Sequence, residues 1–143
     1  MTYKTSLLII SSALMLGACC GHMGDHSTCS GMADSDAPAY FAFDSSVLCS
    51  EDKDNLDHII ARLKANPTER VRISGYTDST GTEAYNMTLS KQRADSAAKY
   101  LESQGIASNR IKVMGYGATH FADLNTTAAG RAKNRRIEVS FFQ

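Results

Sequence analysis

The sequence predicts an α+β fold, a two-layer sandwich in which a mixed four-stranded sheet carries helices packed on one face of a βαβαβ-type core. Two observations support this. Val71 and Ile73 alternate with Arg72 and Ser74, and Ile137, Val139 and Phe141 alternate near the end of the chain, which is the period of half-buried strands. Leu56, Ile59, Ile60 and Leu63 before the first of these stretches, and Ala94, Ala97, Ala98 and Leu101 between them, recur at helical spacing. Helices with a single apolar stripe, set between strands with a single apolar face, need one another as second layers.

The elements can be justified in chain order. Residues 1–18 read as a signal segment: Lys4 supplies a positive start, Leu7 to Leu16 form an apolar stretch broken only by Ser11 and Ser12, and Leu16-Gly17-Ala18-Cys19 ends it with small residues. That stretch is too short to remain as a membrane span. Residues 19–38 carry Gly, Ser, Asp and Pro without apolar periodicity and read as a flexible tether. Cys20, His22, His26 and Cys29 in this tether are of the types that ligate zinc or copper, but their spacing follows no zinc pattern. A solvated linker is the better account of the segment.

The globular domain is placed at residues 39–143. Tyr40 to Phe43 reads as a first strand ending at Asp44, and Ser46 or Ser50 as the cap of the first helix, which Asn66-Pro67 stops. His58 lies beside the apolar stripe and reads as a surface histidine. Gly75 closes the second strand, and a loop of short polar residues from Thr77 to Gly81 leads to a helix from about Thr82 to Gln104-Gly105. Ile111 and Val113 lead into Gly115-Tyr116-Gly117 as a third strand. A loop through His120, Phe121 and Asn125, a short helix over Thr127 to Lys133 and the last strand follow.

Composition narrows the function. The chain has 15 Lys and Arg against 15 Asp and Glu, and losing Lys4 with the signal segment leaves one net negative charge. Nucleic-acid binding, where a basic surface dominates affinity, is disfavoured by that balance. A small zwitterionic ligand is compatible with it.

The stretch from Ile73 to Ala94 contains the most informative pair, Asp78 in the loop and Arg93 in the following helix. Asn86, Leu89 and Arg93 form one ridge of that helix, so Asn86 and Arg93 reach the same groove about two turns apart. A carboxylate accepts charge-assisted hydrogen bonds from an amine, and a guanidinium offers a planar fork to a carboxylate. Together they suit a ligand bearing both groups, although a simple Asp78–Arg93 salt bridge fits the same spacing.

GYTDSTGTEAYNMTLSKQRA, with YFAFDSSVL before it and GRAKNRRIEVSF after it, resembles the peptidoglycan-binding domain of the outer membrane protein A family over nearly all of Tyr40 to Phe142. The layout is most similar to peptidoglycan-associated lipoproteins. The resemblance implies non-covalent binding of the diaminopimelate side chain of the wall peptide by Asp78, Arg93 and Asn86. Thr77 would line the same groove, and Asp44 and Arg135 match further positions near the ligand. It implies no cofactor, no metal and no enzymatic activity. Asp78 and Glu83 would be a carboxylate pair for glycoside cleavage only at a separation that a flexible loop does not guarantee. Phe121 departs from the proline that relatives often carry there.

Leu16-Gly17-Ala18-Cys19 also resembles a bacterial lipobox. Cys19 would then be the lipidated first residue of the mature chain, and Cys20 behind it resembles lipoproteins forwarded to the outer membrane. Cys20, Cys29 and Cys49 would remain in an oxidising compartment, where one disulfide with a thiol left over and a disulfide-linked dimer both fit. The expected function is a lipid-anchored outer-membrane protein, facing the periplasm, that tethers the membrane to the wall. The alternative is an interaction module of an envelope translocation complex with little or no wall binding.

Overall fold

The computed structural model describes residues 39–143. The expected signal segment, Cys19, the tether and the Cys20, His22, His26 and Cys29 set lie outside the described residues. The element order is α1 (Ser50–Ala65), β1 (Arg70–Gly75), α2 (Glu83–Ser103), a short 3-10 turn (Ser108–Arg110), β2 (Ile111–Gly115), α3 (Ala128–Asn134) and β3 (Ile137–Phe142). None of the described helices is long and apolar enough to cross a membrane.

β1 is the central strand of a sheet ordered β2-β1-β3. It runs parallel to β2, with Ile73 opposite Val113, and antiparallel to β3, with Ile73 opposite Val139. The sheet is therefore mixed, but it has three strands and not the expected four. Tyr40 makes only an isolated antiparallel bridge to Arg136. The flanking bonds are Phe41 N–H to the Arg135 carbonyl at 2.9 Å and Ile137 N–H to the Ala39 carbonyl at 2.9 Å.

Competing donors explain why the first strand stops there. The Phe41 carbonyl accepts from Arg135 Nε at 3.0 Å, and the Ala42 and Ser45 carbonyls accept from Arg93 at 3.1 and 2.8 Å. The chain then turns at Asp44, whose φ of 54° is left-handed and ends any extended run. Side chains, in place of a neighbouring strand, satisfy these carbonyls.

α1 buries Leu56, Ile59, Ile60 and Leu63, and α2 buries Ala94, Ala97, Ala98 and Leu101, against Val71, Ile73 and Ile137 of the sheet. Full burial of each large aliphatic side chain stabilises by about 1.5–3 kcal/mol, whereas a helix cap contributes about 1 kcal/mol. The stripes therefore hold the helices in place and the caps only set their ends. The cap of α1 is Cys49, where Ser46 or Ser50 was expected. Asp52 secures this end, since its buried carboxylate accepts from Cys49 N–H at 3.1 Å and from Tyr40 N–H at 3.2 Å. Asn66 and Gly105 end α1 and α2 as expected, Gly105 at φ +92°.

α2 lies unusually close to the ends of β1 and β2. A Cβ at Gly75 would come within 1.9 Å of the Ser90 carbonyl oxygen, and one at Gly115 within 2.8 Å of Lys91 N. Glycine at these two places lets the helix pass over the strand ends. The loop leaving β1 is thereby laid against the first turns of α2.

Candidate functional site

β1 continues past Gly75 through two further backbone bonds, Tyr76 N–H to Arg136 and Thr77 N–H to Gly117, at 2.9 and 3.0 Å. The chain then turns. Asp78 Oδ1 accepts from Thr80 N–H at 2.8 Å, and Thr82 caps α2 by accepting from Tyr85 N–H at 3.3 Å. Asn86 Nδ2 reaches back to the Thr80 carbonyl at 3.0 Å and fixes the loop against the helix.

Between this loop, α2 and the segment around Asp44 lies a groove of about 200 Å³. Asp44, Thr77, Asp78, Asn86, Arg93 and Arg135, all six of the residues expected at the site, line it. Leu89, expected on the same ridge as Asn86 and Arg93, adds apolar surface, and so do Phe43 and Tyr85, which the sequence did not point to. Tyr85 also donates its hydroxyl proton to Asp44 Oδ1, joining the first turn of α2 to the segment across the groove. Its place four residues before Leu89 and eight before Arg93 was the available sign, since positions four apart share one face of a helix.

The roles of the two arginines differ from the expected arrangement. Arg93 is 0 % exposed and donates to the carbonyls of Ser45, Tyr76 and Ala42 at 2.8, 2.9 and 3.1 Å. Burial, followed by the neighbouring Arg135 charge, lowers its pKa from the ordinary arginine range to about 10, against the opposing pull of Asp78 and Asp44. It remains a cation at neutral pH, and its fork is directed largely at its own backbone.

Arg135 is the partner of Asp78, pairing through Nη1 with Oδ2 at 3.1 Å. The Asp78–Arg93 salt bridge does not form. Arg135 Nε holds the Phe41 carbonyl, and among the described residues Nη2 makes no hydrogen bond. Thr77 Oγ1 is buried and likewise has no hydrogen-bond partner. Such an orphan costs about 1–3 kcal/mol unless something satisfies it.

The Asn134-Arg135-Arg136 run is not a solvated turn. Asn134 is fully buried; it accepts from Ala122 and Asp123 N–H at 2.8 and 2.9 Å and donates to the Asp123 carbonyl and Asn125 Oδ1 at 2.8 and 3.0 Å. Asn125 Oδ1 in turn accepts from Ser79 N–H at 3.1 Å, so Asn134 supports the groove loop through one intermediary. Arg136 lies over the Tyr76 ring at 4.2 Å and pairs with Glu138. Among the described residues no three His, Cys, Asp or Glu side chains converge as metal ligands.

Two acids and two arginines thus line one small groove, balanced in charge, with an unsatisfied hydroxyl and an unused guanidinium nitrogen at its wall. The fold and groove define an α+β module whose charge-balanced groove sits where a parallel β-α-β unit leaves its central strand. The chain belongs to the OmpA family, whose model matches residues 40–135.

Over its length it is similar to the peptidoglycan-associated lipoprotein of Legionella pneumophila, 30% identical over 167 residues, covering 97% of this chain and 94% of that protein. It is 43% identical over 102 residues to the peptidoglycan-binding protein ArfA of Mycobacterium tuberculosis, covering 71% of this chain and 31% of that protein. This chain therefore spans less than a third of that relative's length. Among solved structures, the peptidoglycan-associated lipoprotein from Burkholderia pseudomallei superposes with a TM-score of 0.71 at 28% identity, covering 73% of this chain and 89% of that one.

Proposed function

We propose that this domain binds peptidoglycan non-covalently, holding the free ammonium and carboxylate at the end of a diaminopimelate side chain. The observation that carries this reading is the pairing of a charge-balanced groove with an unsatisfied hydroxyl, Thr77 Oγ1, beside a partly used guanidinium, Arg135. A ligand ammonium is placed at Asp78, whose carboxylate already accepts two hydrogen bonds and has lone pairs left. The ligand carboxylate is placed at Thr77 Oγ1 and Arg135 Nη2. Arg93 fixes the walls by tying Ala42, Ser45 and Tyr76 together, and its charge offsets that of Asp44. The names of the relatives, peptidoglycan-binding and peptidoglycan-associated, support the same ligand.

In the same reading residues 1–18 are a signal segment, Cys19 carries the lipid and residues 19–38 tether the domain to the outer membrane. Binding the wall from there couples membrane to wall without chemistry on the wall. Co-sedimentation of residues 38–143 with purified sacculi tests the site. The unsubstituted domain is expected in the pellet, with the sacculi undigested, and Asp78→Asn and Arg135→Gln in the supernatant while retaining native circular dichroism. If the unsubstituted domain stays in solution, the wall-binding reading is wrong. If the folded variants pellet equally, the groove assignment is wrong.

A further inference from the structure

A second groove, of about 370 Å³, meets the first at Gly81 and Asn86, the two residues that line both. At that junction Gly81 presents no side chain. A Cβ there would stand 3.5 Å from the Tyr85 ring and 3.8 Å from Asn86 Oδ1, and the φ of +98° reserves the place for glycine. Asn86 turns its Nδ2 to the Thr80 carbonyl, which leaves Oδ1 as an acceptor with no hydrogen bond among the described residues. A chain passing over Gly81 therefore meets a ready partner for an amide N–H.

Beyond this saddle the character of the lining changes. Met87 and Phe121 are 44% and 45% exposed, and with Tyr116 and Ala118 they give the second groove apolar walls. Glu83 is its one ionised lining residue, and it enters no ion pair among the described residues. A carboxylate in this groove would meet an uncompensated like charge, whereas an uncharged small residue would meet carbon and hydroxyls.

Building on the peptidoglycan reading of the first groove, we infer that the second groove binds the next part of the same wall peptide. Its occupant is a neutral, alanine-sized residue joined by an amide to the diaminopimelate. The ligand crosses Gly81, donates its linking N–H to Asn86 Oδ1 and packs its methyl group against Met87 and Phe121.

Calorimetric titration of the full chain with two probes, free diaminopimelate and diaminopimelyl-D-alanine amide, separates the two grooves. The amide is expected to bind about tenfold more tightly than the free amino acid, since it buries a methyl group against two half-exposed apolar side chains. In Phe121→Ser and Met87→Ser that ratio falls to about one with diaminopimelate affinity unchanged; both side chains are exposed, so native circular dichroism is expected. Asp78→Asn weakens both probes together. The inference is overturned if the ratio survives both substitutions, or if Phe121→Ser weakens both probes equally. If the unsubstituted chain binds neither probe, the peptidoglycan reading itself fails and takes this one with it.

Discussion

Arg93 is a buried cation that ties three backbone carbonyls of its own chain together at the wall of the groove. Its spacing from Asp78 marks it as a ligand fork, yet its donors face the carbonyls of Ala42, Ser45 and Tyr76 in a site closed to solvent. Arg93→Ala would leave these carbonyls without their donor and open a large cavity beside Phe41 and Leu89. Removing one member of a buried charge network costs about 3–5 kcal/mol, so denaturant unfolding is expected to show a loss of that order, and wall binding would fall with the fold. A variant that stays within about 1 kcal/mol of wild type would show that these bonds contribute little.

Thr77→Val is the cleaner probe of the groove. Valine keeps the shape and removes a buried hydroxyl that has no partner, so stability is expected to rise by about 1 kcal/mol while retention on sacculi drops. An unchanged pelleted fraction would argue that the hydroxyl has no ligand.

At the scale of elements, the two stripes identified α1 and α2 because burying them dominates the local energetics. The alternation likewise identified β1 and β3. The first strand was misread for a physical reason: Tyr40 to Phe43 has strand composition, but the partners of its carbonyls are guanidinium groups from Arg93 and Arg135, which no local pattern reveals. Asn134 is illegible for the same reason, since its four hydrogen bonds all reach into a loop about ten residues earlier. That Asp44, Thr77, Asp78, Asn86, Arg93 and Arg135 lie along one groove was legible because the motifs that carry them are short and ordered. The pairing of Asp78 with Arg135 was not, because it spans 57 positions.

The close pass of α2 over β1 makes a further expectation at this scale. Gly75→Ala places a methyl group 1.9 Å from the Ser90 carbonyl oxygen, where neither partner is a flexible side chain. Helix and strand must separate, and the loss should exceed the roughly 1–3 kcal/mol usual for overpacking. Because Ser90 Oγ also accepts from Gly117 N–H at 2.9 Å, the loops on both sides of the second groove should loosen together. Hydrogen exchange at Thr77 and Gly117 is the measurement. Acceleration at one without the other would show that the two loops are held independently.

The whole molecule presents two electrically different surfaces. The groove is neutral in sum and partly enclosed. The face of the sheet away from the helices, by contrast, displays Arg70 and Arg72 around the Phe142 ring, with Lys112 opposite Arg72, and none of the three forms a salt bridge among the described residues. Attachment to the wall through that basic face would be an attraction between exposed charges, which weakens as the screening length shrinks from about 10 Å at 0.1 M salt to about 3 Å at 1 M. A zwitterion seated between Asp78 and Arg135, as proposed, would be held over contact distances beside two largely buried side chains, so its retention should depend little on salt. Sacculus co-sedimentation at about 0.05 M and about 0.5 M sodium chloride is therefore expected to give pelleted fractions within about threefold of each other. A steep fall would assign attachment to Arg70, Arg72 and Lys112, and charge reversal at those three positions, with the groove intact, would then abolish it.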